Sequence, residues 1–109
     1  MSSVAIDFAR VCEELRTLND APAARDEASR ARVERTLTDG YAHAMSLEAD
    51  RLRLERQIGD VAAQVDVRVP GAKTGELQEL SSRLADTSRE LEQLRKLLAA
   101  VRRRPSAAA

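Results

Sequence analysis

The feature that most constrains this chain is a long stripe of apolar residues recurring at alternating steps of four and three. In the central segment it runs Val33, Leu37, Gly40, Ala44, Leu47, Arg51, Leu54, Ile58, Val61, Val65. That spacing holds the same side of an α-helix for more than four heptads, whereas a strand would need a period of two. A second stripe, Leu77, Leu80, Leu84, Thr87, Leu91, Leu94, Leu98 and Val101, follows a Pro70-Gly71 break. A third and shorter one, Val4, Phe8, Val11, Leu15 and Leu18, precedes Asn19-Asp20-Ala21-Pro22. Pro-Gly is a strong turn signal, and a proline pushes its predecessor out of the α region.

These periods predict helices over about 3–19, 22–67 and 75–103 within a single helical domain of residues 1–104. Ser3, Asp20 and Thr74 are the expected N-caps, and residues 105–109 read as a disordered tail. The fold class follows as all-α: an antiparallel coiled-coil helical hairpin with a short additional N-terminal helix. At about 1.5 Å per residue the second helix is as long as the other two together, so both fold back along it. A bend at Gly71 pairs Leu77 with Val65, Leu84 with Ile58, Thr87 with Leu54, Leu91 with Arg51, Leu94 with Leu47 and Leu98 with Ala44. Val101 then reaches Gly40 and Tyr41.

Composition sharpens the picture. The chain has 109 residues, of which 33 % are charged and only Phe8 and Tyr41 are aromatic. A thin Leu- and Ala-based core is therefore expected, and thin cores are commonly completed by oligomerisation. Leu52 and Leu97 lie off the main stripes and would be exposed in a lone hairpin. Leu47, Leu54, Ile58, Leu84, Leu91 and Leu94 are expected to hold the hairpin. Phe8, Leu15, Val33, Leu37 and Tyr41 are expected to form a second, smaller contact, and with Leu52 and Leu97 they make up the predicted protein-interaction residues.

Chemical motifs are few. Gly71-Ala72-Lys73-Thr74-Gly75 has the Lys-Thr end of a phosphate-binding loop, but Val67 and Ala72 stand where glycines belong and a helix precedes it. The turn-plus-cap reading accounts for it, leaving only small-ligand binding at Lys73 and Thr74 as an open alternative. His43 with Asp39 four residues before it supplies two ligands, short of a zinc site, and reads as a solvated histidine. The lone Cys12 reads as a small apolar filler. Arg30/Glu34, Arg35/Asp39, Arg51/Glu55 and Arg56/Asp60 suggest solvated ion-pair faces. Arg51 falls on the seam, where its stem can pack while its guanidinium pairs with Glu55 or Glu90, or where it sets register in a dimer core.

Arg102, Arg103 and Arg104 complement the dipole at the end of the third helix and are the candidate nucleic-acid contacts. A formal net charge of zero and the scarcity of stacking aromatics argue against a dedicated nucleic-acid binder. No catalytic set, cofactor site or metal site is expected. No apolar run is long enough for a membrane span, and Asp7 interrupts the apolar start, so neither a membrane nor a secretory route is expected. The sequence therefore points to a cytoplasmic, non-enzymatic coiled-coil interaction or adaptor module that associates with itself or a protein partner. The alternative is a transcription regulator or nucleic-acid-associated adaptor using the arginine cluster.

Overall fold

A computed structural model describes residues 3–66, 68–69 and 71–104, with side chains from Phe8 onward. The described residues are helical with short connectors: α1 is Ser3–Asp20, α2 is Glu27–Ala63 and α3 is Thr74–Arg102. No described residue is in a strand. The packing of α2 against α3 is that of an antiparallel helical hairpin, to which α1 adds a shorter N-terminal helix.

Two helix boundaries differ from the sequence expectation. α2 begins at Glu27, not Pro22, because Asp26 rather than Asp20 caps it. Asp26 Oδ1 accepts the Ser29 backbone N–H at 2.7 Å, filling a donor that the first turn cannot satisfy internally. Hydrogen bonds from the Ser29 hydroxyl and then its N–H hold the Asp26 carboxyl below its usual range, with Arg30 adding attraction. At its other end α2 stops at Ala63, where Gln64 N–H closes a tighter turn on Val61. The expected end at Val67 and the tail at 105–109 lie outside the described residues.

The connector between α2 and α3 is built from successive turns. Asp66 Oδ1 accepts the Arg68 N–H at 2.9 Å, and Val69 and Ala72 N–H groups each bond three residues back. Gly71 has φ of 83°, a left-handed conformation that costs a side chain 1–2 kcal/mol or so and glycine almost nothing. The Lys73 carbonyl accepts Leu77 N–H to open α3, with Thr74 as the first helical residue.

The chain forms two compact units. The first, Met1–Met45 with Glu92–Ala109, contains α1, the start of α2 and the end of α3. Its interior is closely filled: Val11, Cys12, Leu15, Leu18, Ala44, Leu94, Leu98 and Val101 are buried, with Leu15 and Leu94 at 0 % exposure. Cys12 is part of this filling, as expected of a small apolar side chain. Gly40 lies where three helices converge. A methyl group there would sit 2.6 Å from Leu98 Cδ2 and 3.5 Å from Leu15 Cδ1, so any larger residue obliges the Leu98 side chain to shift. Leu98 thus meets Gly40, one helical turn from its expected partner Ala44. The bend explains the shift: with α2 ending at Ala63 and α3 starting at Thr74, it is centred near Arg68 and Val69 rather than Gly71.

The second unit, Ser46–Leu91, is a two-helix hairpin. Leu47, Val61 and Leu91 are buried. Leu54, Ile58, Leu77, Leu80 and Leu84 are half-buried, and Val65 is exposed despite its place on the stripe. Thr87 and Leu54 both line the groove between the two helices. Two helices offer each other one narrow seam apiece, so the flanks of these leucines stay wet.

Candidate interaction surfaces

The two units present different surfaces. In Ser46–Leu91 the apolar content exceeds what two helices cover. Leu52, at 52 % exposure, points away from the seam that carries the half-buried Leu54 and Ile58. The helix faces of this unit carry ion pairs: Arg53 with Asp50, Arg89 with Asp86, Arg83 with Glu79 at 2.8 Å, and Arg51 with Glu55 at 3.9 Å. These exposed pairs contribute a few tenths of a kcal/mol each. Arg51 is half-buried and pairs with Glu55, the snorkelling arrangement.

In the first unit, Leu15 is enclosed and belongs to the interior rather than to any outer surface. Leu97, expected to be exposed, is half-buried, because a third helix widens the covered arc of α3 beyond a single stripe. Val33 and Leu37 are half-buried, and Tyr41 is 38 % exposed with the Arg102 guanidinium 5.9 Å above its ring. Val33 and Leu37 line a groove of about 380 Å³ together with Leu18, Ala23, Ala24, Arg30, Glu34, Val101, Arg102 and Arg104.

Histidine 43 departs from the expectation of a solvated side chain. Phe8 of α1 lies over it, ring centroids 5.7 Å apart, and Nε2 is buried without a hydrogen-bond partner. The sequence expectation treated α2 as if its His43 face were bare, and α1 covers that face. No group of three or more His, Cys, Asp or Glu side chains able to hold a metal ion occurs among the described residues. Lys73, just before α3, pairs with Glu76 in the first turn of that helix at 3.7 Å.

The three arginines ending α3 are not equivalent. Arg102 stacks on Tyr41, Arg104 donates to the Ala21 carbonyl, and Arg103 is exposed. The Arg104 bond joins the end of α1 to the end of α3 and satisfies a carbonyl the helix leaves unpaired. A capping role of this kind was not legible in the run of arginines, which carries no mark of which side chain folds back. Among the described residues no helix is long and apolar enough to cross a membrane. No protein-family model matches the chain, and comparison with curated proteins and with solved structures returns no match.

Proposed function

We propose that the protein is a non-enzymatic coiled-coil interaction module that associates with a second copy of itself through the Ser46–Leu91 hairpin. One observation carries the reading: Leu54, Ile58, Leu77, Leu80 and Leu84 lie on a continuous seam yet stay half-buried, and Leu52 is exposed on a further face of the same helix as Leu54 and Ile58. Burying such a leucine fully contributes about 1.5–3 kcal/mol relative to leaving it in water. A second hairpin packed against the first supplies the missing cover in the manner of a four-helix bundle. A cytoplasmic setting suits a chain whose single cysteine serves as core filling.

The nucleic-acid reading draws less support, since the chain carries no formal net charge and has only two aromatic side chains for stacking. Light scattering on the eluting protein across a concentration series tests the self-association. The expected result is a dimer mass that falls to the monomer mass in Leu52→Glu, with helical content unchanged because Leu52 supports no interior contact. A wild-type protein that stays monomeric up to the highest concentrations would refute the reading, and a dimer indifferent to Leu52→Glu would move the interface elsewhere.

A further inference from the structure

We propose that the groove in the three-helix unit is a docking site for a short peptide segment of a partner protein that carries both leucine-like and acidic side chains. The proposal goes beyond self-association and uses none of its residues. The floor is apolar: Leu18 and Val101 are buried below it, and Val33 and Leu37 form one wall. On α2 the lining positions are Arg30, Val33, Glu34 and Leu37, one helix face over two turns or about 10 Å. Ala23 and Ala24 of the α1–α2 connector close the end with the smallest side chains, which leaves the space open. A volume of about 380 Å³ holds a few anchoring side chains and sits at the small end of ligand-site sizes.

Charge decides what fills it. Three arginines, Arg30, Arg102 and Arg104, line the groove against a single carboxylate, Glu34. Their guanidinium groups are held in place: Arg30 donates to the Arg25 carbonyl at 2.9 Å, Arg104 to the Ala21 carbonyl, and Arg102 rests over Tyr41. Each such contact engages part of a fork of five N–H donors, and the remainder can take a carboxylate in bidentate fashion. Arginines already held in position lose less freedom when an acidic partner arrives. An apolar floor under a cationic rim on a helix face two turns long matches an amphipathic segment laid in a groove, with leucines downward and carboxylates to the rim.

The test uses the full chain and a fluorescein-labelled peptide of leucine, glutamate and alanine with leucines one turn apart, read by anisotropy. Saturable micromolar binding is expected, at least tenfold weaker when serine replaces the leucines or lysine replaces the glutamates. Arg30→Glu combined with Arg102→Glu should reverse the preference, losing the glutamate peptide and gaining the lysine peptide. Unfolding cannot produce that reversal, and Arg30→Glu alone repeats the test at an exposed position. Binding should be unchanged in Leu52→Glu, which separates this site from self-association. Equal binding of the serine peptide would reduce the groove to a plain anion surface, and equal binding of the lysine peptide to a plain apolar one. Displacement by decanoate with tighter, arginine-dependent affinity would make the occupant a small amphiphile. Each of these outcomes, and absence of binding at millimolar peptide, overturns the proposal.

Discussion

Replacing Gly40 with alanine, alongside the same change at Gly59, separates what a glycine costs a helix from what it permits in packing. Both lie inside α2, and alanine is favoured over glycine there by about 1 kcal/mol. At Gly59 nothing lies within 4 Å of the added methyl, so the whole gain should appear as stability. At Gly40 the methyl would meet Leu98 Cδ2 at 2.6 Å, about 1 Å inside ordinary carbon contact. Leu98 is buried, and Leu15, beside the same point, has no exposed surface into which it can yield. Overpacking of this kind costs about 1–3 kcal/mol, so Gly40→Ala should be neutral to destabilising by about 2 kcal/mol. The two variants should therefore differ by about 1–3 kcal/mol. With a urea slope of about 2 kcal/mol per molar, their unfolding midpoints separate by roughly 0.5–1.5 M. Circular dichroism during urea titration reads this directly. Combining Gly40→Ala with Leu98→Ala should cost less than the sum of the two single changes, since the new methyl enters vacated space. If Gly40→Ala stabilises as much as Gly59→Ala, the close convergence of three helices at this point is wrong.

Other consequences are separately measurable. Leu15→Ala should destabilise by about 2–5 kcal/mol, while Leu52→Ala should stay within about 0.5 kcal/mol for the monomer; similar midpoints for the two would contradict the burial difference. His43→Leu removes an enclosed ring nitrogen with no partner and should raise the melting temperature by several degrees, after loss of the Phe8 ring contact is counted. A lowered melting point in that variant would show that Nε2 is satisfied after all. Asp26→Asn should keep the cap but remove its titration. Because the Asp26 carboxyl is held below 3.8, its contribution is present at neutral pH and disappears as acid protonates it below that value. The wild-type protein should therefore lose more helix-start stability than Asp26→Asn between pH 4 and about 2, and parallel acid titrations of the two would count against the cap.

Helix number and faces were legible because burial against any neighbour demands one apolar stripe, and the four-three spacing holds from Leu77 to Val101 and from Val33 to Val61 despite Thr87, Gly40 and Arg51. The pairing of Leu98 was off by one turn for a physical reason. Sliding one helix four residues along the other leaves the same stripe facing the seam, so periodicity cannot distinguish the two registers. The bend fixes the choice, and Pro70-Gly71 marks only part of a connector that also uses the Asp66 side chain. The start of α2 was misplaced because Pro22 and Asp20 resemble a helix opening, although Asp26-Glu27-Ala28-Ser29 offers the cap that the chain uses. The enclosure of His43 and Leu97 depends on where α1 lies, and no local pattern in α2 or α3 carries that information. Gly40 did carry a signal: a glycine on an apolar stripe in mid-helix is costly unless something needs the space.

The Arg104–Ala21 bond spans 83 residues of chain. During synthesis at about 5–20 residues per second, the two ends of that bond leave the ribosome roughly 4–17 s apart. Throughout that interval Leu15 of α1 waits without Leu98, which packs beside the same point on Gly40. The apolar face of the first helix is thus completed only when the closing end of α3 emerges.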